Sequence, residues 1–215
     1  MKRIAFILMG MLFLSMTAQD PSRFEEEVSS IEQRYDSIWD GSTETVVFTG
    51  SSSIRLWEDL DDLFPDHLII NTGFGGSQTS DLLVYSDKLI LKYRPKKVFI
   101  YEGDNDIFDR KSPNEVIATT KEIIHIIKEN NIESQIVLIS AKPSLVRWHL
   151  KRKYKILNRK LKKLAKKDAS VDFANVWDIM LQGRKLNKSL FIEDGLHMNP
   201  SGYDLWYEVI REHLK

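Results

Sequence analysis

The sequence predicts an α/β fold, a three-layer α/β/α sandwich around a five-stranded parallel sheet. Three observations carry this. Five short runs rich in Val, Ile and Phe, at 45–49, 68–71, 98–102, 135–140 and 171–174, are separated by longer stretches with helical periodicity. The first run is broken by Gly50 and followed by Ser51, Ser52 and Ser53, after which Ile54, Trp57 and Leu60 recur at helical spacing. Across 215 residues there is no composition break, long linker or internal repeat. Strands alternating with helices favour a parallel sheet with right-handed crossovers and helices on both faces. The length suits one domain with a full core.

The first 19 residues read as a cleavable signal peptide and 20–215 as the folded domain. Lys2 and Arg3 form a basic start, 4–16 is almost wholly apolar, and Thr17, Ala18 and Gln19 close it with small and polar residues. The apolar stretch is short for a bilayer span. Cleavage after Ala18 or Gln19 leaves 29 basic against 31 acidic residues, a net charge of −2. The expectation is a secreted or periplasmic protein with no stable membrane anchor after cleavage.

From 22 to 39, Phe24, Val28, Ile31, Tyr35 and Ile38 step by four and three, one face of a helix. Ser22 with Glu25 has the form of a capping box. This is expected to be a packing helix without chemistry of its own. Further helices are expected at 81–93, 114–129, 145–167 and 201–214, the third of these long and strongly basic. Arg147, Lys151, Arg152, Lys153, Lys155, Arg159, Lys160, Lys162, Lys163, Lys166 and Lys167 crowd it. They could bind an acidic polymer or a lipid headgroup, but a solvated face balancing the acidic stretches 25–27 and 58–62 is the favoured reading.

Composition narrows the function. Hydrophobic residues at 42% and charged residues at 29% describe an ordinary soluble protein, and a net charge of +0 gives no global attraction to nucleic acid. The absence of cysteine excludes disulfides, thiolate metal sites and a lipidated amino-terminal cysteine.

Open α/β sheets hold their sites at the carboxyl ends of the strands, where the three serines fall. A serine becomes a nucleophile only with a base, an orienting acid and an oxyanion hole. Four of the five histidines, His67, His125, His149 and His213, sit where structural or exposed roles are expected. His197 instead lies in a loop with Asp194 three residues before it. A turn there can bring the carboxylate to Nδ1 and leave Nε2 free to take a proton. Residues 71–79 form a glycine-rich loop after the second strand. Its glycines can present bare N–H groups to an anion, but it lacks the spacing and lysine of a nucleotide cradle. After the third strand, Asn105 offers a neutral N–H₂ donor; the neighbouring Asp104, Asp106 and Asp109 lack the spacing of a calcium loop.

Together these four blocks, spanning about 46–203, resemble the SGNH hydrolases, or GDSL-type lipase/acylhydrolases. The resemblance is closest to the branch with the platelet-activating-factor acetylhydrolase subunits and bacterial acyl esterases. It implies a flavodoxin-like sheet of order 2-1-3-4-5, and a catalytic Ser52, Asp194 and His197. It also implies an oxyanion hole from the N–H groups of Ser52 and Gly76 and the side chain of Asn105. The family's Gly-Asp-Ser reads Gly50-Ser51-Ser52 here, so Ser51 replaces an aspartate that supports the loop, and Ser53 is a rival nucleophile. Neither metal nor organic cofactor is implied.

The activity implied is hydrolysis of short acyl esters, acetyl foremost, on a small molecule or a carbohydrate. No apolar insertion resembles a lid. Trp57, Trp148 and Trp177 could stack on a sugar ring, and Arg147 could reach a negative substrate group or simply open a helix. An acyltransferase using the same serine, and a non-catalytic carbohydrate-binding module on an esterase scaffold, are the alternatives. The oligomeric state is not legible.

Overall fold

A computed structural model describes residues 20–214. The signal peptide expected at 1–19 lies outside them. Among the described residues no helix is long and apolar enough to cross a membrane.

The chain enters through a 3₁₀ turn at Pro21–Phe24 and helix α1 (Glu25–Asp36). Strand β1 (Thr45–Gly50) leads into the short helix α2 (Ser52–Arg55), and β2 (Leu68–Gly73) into α3 (Thr79–Val84) and α4 (Ser86–Leu89). Then follow β3 (Lys97–Tyr101), α5 (Asp104–Phe108), α6 (Pro113–Asn130) and β4 (Gln135–Ile139). Helix α7 (Lys151–Ala165), β5 (Val171–Ala174), α8 (Val176–Ile179), a two-residue hairpin β6 (Leu181–Gln182) and β7 (Lys185–Leu186), and α9 (Pro200–Ile210) complete the chain.

The main sheet has the order β2-β1-β3-β4-β5, every pairing parallel. Side chains alternate faces along a strand, so each strand feeds two cores. Val47, Val98, Ile100, Ile136 and Leu138 face one, closed by α1, α3, α4, α6 and α7; Phe48, Phe99, Tyr101, Val137 and Ile139 face the other, closed chiefly by α2, α8 and α9. Phe48 and Phe99, neighbours across β1 and β3, stack at 4.3 Å. The two-sided burial explains why the strands read as continuous apolar runs without alternation.

Three expectations about the helices change. Asp20, not Ser22, caps the amino-terminal helical segment, accepting the Ser22 N–H at 3.0 Å, and the α-helix ends at Asp36 rather than residue 39. The helix expected at 81–93 is broken into α3, α4 and a 3₁₀ turn, Leu91–Tyr93. The long basic helix starts at Lys151 rather than 145, because 142–147 is pulled onto the sheet rim by its own hydrogen bonds. Leu145 N–H reaches Gly195 O at 2.8 Å and Arg147 turns inward.

Candidate active site

The chain leaves β1 toward β2 on one side and β3 on the other, so the crevice at the carboxyl end of β1 is the sheet's topological switch point. Gly50 stands there with φ +124°, and a Cβ would lie 2.0 Å from the Tyr101 carbonyl oxygen. Only glycine lets β1 turn this sharply against β3. The turn places Ser51, Ser52 and Ser53 at the head of α2 with different fates. Ser51 and Ser53 are buried, whereas Ser52 is half-buried at the rim. As the first residue of α2, Ser52 has no intrahelical acceptor for its N–H.

The His197 loop is a tight reversal. Phe191 and Met198 pair across its neck, and the Ile192 N–H reaches His197 O at 3.0 Å. Inside it, Asp194 Oδ1 accepts the N–H groups of Leu196 (2.8 Å) and His197 (2.9 Å), the local turn that Asp-x-x-His spacing permits. Asp194 Oδ2 is left to meet His197 Nδ1 at 2.5 Å, and His197 Nε2 lies 2.9 Å from Ser52 Oγ. Three side chains separated by up to 145 residues thus form one hydrogen-bonded line. Burial works against ionisation of Asp194, but the His197 and Leu196 N–H groups and the imidazole outweigh it and hold its carboxyl below the usual range.

The loop is braced from beneath by Lys142, just after β4 and only 1% exposed. Its Nζ donates to Leu196 O at 2.5 Å, and burial pulls its ammonium from 10.5 down to about 8. Asn199 then caps α9 through Oδ1, with Pro200 at the first helical position.

Opposite the histidine, Asn105 sits in the first turn of α5. Its Nδ2 donates to Ser51 Oγ at 2.7 Å and to Ser77 O at 2.8 Å, while its Oδ1 accepts from Arg147 Nη2 at 3.0 Å. The amide is therefore locked, its N–H₂ side facing the β1 and β2 loops. Arg147 also donates to Asp104 Oδ1 at 2.7 Å and lies over the Phe108 ring at 4.3 Å. Asp104 receives Tyr154 Oη as well, at 2.8 Å. Burial disfavours its charge, yet Lys142, Arg147 and Tyr154 hold it ionised. Asp106 turns elsewhere, accepting the Thr79 N–H at 3.0 Å. No group of three or more His, Cys, Asp or Glu among the described residues is arranged to hold a metal ion.

The glycine loop completes the rim. Gly76 has φ +75°, is exposed, and has nothing within 4 Å of an added Cβ. Its N–H has no acceptor among the described residues. The loop is held from below by Ser77 Oγ donating to buried Glu102 at 2.6 Å. Burial, with Asp106 nearby, raises the Glu102 carboxyl well above its ordinary value.

Sequence reasoning missed three contributors. Glu27 lies off the apolar stripe of α1, and its carboxylate accepts the Gly75 N–H at 3.0 and 3.2 Å and lies 3.6 Å from Arg55. Arg23 donates to Gly76 O at 3.3 Å. The amino-terminal helix is thus a clamp on the glycine loop as well as a packing element. Lys142 is the third, and no periodicity marks an isolated lysine after a strand as buried.

The two possible substrate contacts have partners within the protein. Arg147 is spent on Asp104 and Asn105, with its side chain 9% exposed. Trp148 packs on Trp177 at 6.1 Å, with Lys151 above it at 4.8 Å, on the α7 side of the molecule. Of the other tryptophans offered for sugar stacking, Trp57 and Trp177 are buried in the two cores.

Residues 36–205 match the model of the GDSL-like Lipase/Acylhydrolase family. The chain belongs to that family. Its fold is that of several solved structures. One is a Streptococcus pneumonia protein named for platelet activating factor (24% identity, 90% of this chain and 94% of that one, TM-score 0.79). Another is a GDSL-like lipase from Bacteroides thetaiotaomicron (22%, 91% and 97%, 0.72). A third is an acetyl-xylooligosaccharide esterase from Geobacillus Stearmophilus (16%, 80% and 94%, 0.67). No curated protein matches in sequence. As a GDSL-like acylhydrolase, the protein is a carboxylic ester hydrolase, and its β2-β1-β3-β4-β5 sheet has the order that the resemblance implies.

Proposed function

We propose that the protein hydrolyses short acyl esters, acetyl above all, carried on carbohydrates outside the cytoplasm, with Ser52 as nucleophile. The observation that carries this reading is the line Ser52 Oγ, His197 Nε2, His197 Nδ1, Asp194 Oδ2, with steps of 2.9 and 2.5 Å. His197 removes the proton as Ser52 Oγ attacks the ester carbonyl, and Asp194 stabilises the imidazolium and fixes its tautomer. The tetrahedral oxyanion is received by the N–H groups of Ser52 and Gly76 and by Asn105, whose bond to Ser51 Oγ is the one an incoming oxygen displaces. His197 then gives its proton to the leaving alcohol. Water, deprotonated by the same imidazole, cleaves the acyl-enzyme and frees the acid.

One feature favours a small acyl group on a large alcohol. Asp194 is 41% exposed and His197 22%, so the site lies on an open rim that a bulky alcohol can approach. The amino-terminal pattern at 1–19 supports a location beyond the membrane.

A fluorophosphonate probe with peptide mapping, together with p-nitrophenyl acetate hydrolysis by Ser52→Ala and Ser53→Ala, tests the assignment. Labelling at Ser52 and loss of turnover only in Ser52→Ala are expected. Labelling at Ser53, or an active Ser52→Ala, overturns it.

A further inference from the structure

Helix α7 carries eight Lys or Arg and no acidic residue in 15 positions. Cations recur four apart at Lys151, Lys155, Arg159 and Lys163, and like charges at that spacing destabilise a helix. An ordinary solvated helix relieves such repulsion with interleaved carboxylates. Here no α7 cation forms an ion pair among the described residues, and Glu27, from one of the acidic stretches expected to balance them, is engaged by Arg55.

The charge lines a recess. Between α7 and the edge strand β5 runs a groove of about 480 Å³, lined by Lys155, Arg159, Lys162, Phe173, Trp177 and Asp178 among others. It shares Lys162, Phe173 and Asn175 with a second hollow of about 420 Å³, where Lys166 and Lys167 stand with Asp168 and Asp172. From Lys155 to Lys167 the cations that line the two hollows span roughly 18 Å at 1.5 Å per helical residue. The Trp148–Leu150 turn before α7 directly follows Arg147, whose guanidinium touches Asn105, so the helix starts on the rim that holds Ser52 and the groove opens about one turn further along it.

We propose that this groove binds an anionic polysaccharide, a glycan bearing carboxylate or sulfate groups, and feeds its ester-bearing units to Ser52. The proposal rests on the carbohydrate esterase reading and names the class of polymer. Unpaired cations supply the attraction for repeated negative charges. Asn175 and Asp178, joined at 2.6 Å on the groove wall, offer acceptors suited to sugar hydroxyls. The recess lies between helix and strand, which a flat bilayer surface does not enter. The indole Nε1 of Trp177, 3% exposed, has no hydrogen-bond partner, and its ring lines the same groove.

The test uses the inactive Ser52→Ala protein for binding, so that its outcome does not depend on catalysis, and the active protein for rates. Polygalacturonate and heparin are the anionic probes, neutral xylan, duplex DNA and phosphatidylglycerol vesicles the comparisons. The expected result is binding to one or both anionic glycans that weakens with salt, with polygalacturonate marking carboxylate recognition and heparin sulfate recognition. Reversing three cations (Lys155→Glu, Arg159→Glu, Lys162→Glu) weakens it roughly tenfold, since each reversal replaces an attraction by a repulsion. The same variant keeps p-nitrophenyl acetate turnover but loses rate on O-acetylated polygalacturonate. Because the reversals relieve like-charge repulsion, the variant is expected to melt no lower than the parent; Lys155→Gln, Arg159→Gln, Lys162→Gln serves as the milder control. Equal binding by parent and variants, no binding of either anionic glycan, or tighter retention of xylan, DNA or vesicles overturns the proposal. Glycan binding by Ser52→Ala with no ester turnover by the active protein leaves this groove standing and removes the catalytic reading instead.

Discussion

Arg147 donates to Asn105 Oδ1 at 3.0 Å, and in doing so decides which face of that amide carries the hydrogens. With the carbonyl end held by a guanidinium, the N–H₂ end points at Ser51 and Ser77, beside the loop that carries Ser52. If Asn105 receives the oxyanion as proposed, Arg147 acts on the reaction through Asn105 rather than on substrate. Arg147→Met is expected to lower kcat on p-nitrophenyl acetate with KM little changed, by less than the ~10²–10³ that follows loss of an oxyanion donor itself. It also breaks a buried pair with Asp104, and the melt should show a loss of about 3 kcal/mol. Arg147→Lys should recover stability better than rate, because a lysine cannot bridge Asp104 and Asn105 in the same fork. Equal kcat in Arg147→Met and the parent overturns the positioning role.

Ser51 stands where family relatives have an aspartate, and its hydroxyl accepts one of the two Asn105 N–H bonds. A neutral hydroxyl holds that hydrogen more loosely than a carboxylate does. Ser51→Ala should free the donor for the oxyanion, leaving kcat unchanged or higher, while the lost hydrogen bond lowers stability by about 0.5–1.5 kcal/mol. Ser51→Asp should stabilise the loop and slow turnover. Steady-state kinetics beside thermal melts separates the two effects, and a collapse of kcat in Ser51→Ala would count against displacement at Asn105.

The clamp from the amino-terminal helix gives a third expectation. Glu27 is the acceptor for the Gly75 N–H and a neighbour of Arg55, so Glu27→Ala leaves the glycine loop without its anchor. Turnover of p-nitrophenyl acetate should drop several-fold, within the ~10²–10³ of losing an oxyanion donor outright. Glu27→Gln, which keeps an acceptor oxygen, should restore most of it. Equal loss in both variants would point to the charge on Arg55 rather than to the N–H bond.

These expectations show where the sequence was informative. All five strands were legible because two-sided burial writes continuous apolar runs. The Asp194–His197 turn was legible because three residues is the reach of a local Asx-type turn. The order of the sheet came from resemblance, since pairing partners are not encoded in any one strand. The inward turn of Arg147 could not be read, because helical spacing predicts a helix from 145 and only tertiary hydrogen bonds hold 142–147 off that path. The reach of Glu27 to the glycine loop could not be read for a related reason: periodicity marks a helix's apolar face and is silent about which polar residue meets a distant loop.

Lys142 supplies a pH dependence whose sign can be worked out. Burial lowers its ammonium from 10.5 in the unfolded chain to about 8 in the fold. Between those values the unfolded state binds more protons, so this group's contribution to stability rises with pH from about 8 to 10.5 and is at its least favourable below 8, where a charge is buried. Lys142→Met removes the titration along with the Nζ bond to Leu196 O. The stability difference, parent minus variant, is therefore expected to grow in the parent's favour as pH is raised from 7.5 to 10. Chemical denaturation of both proteins across that range measures it, and subtracting one from the other cancels every other titrating group. A difference that stays flat would mean that the ammonium is solvated in the folded protein. The same variant reads out the brace on the His197 loop: without the bond to Leu196, kcat on p-nitrophenyl acetate should fall at every pH tested, whichever way the stability difference runs.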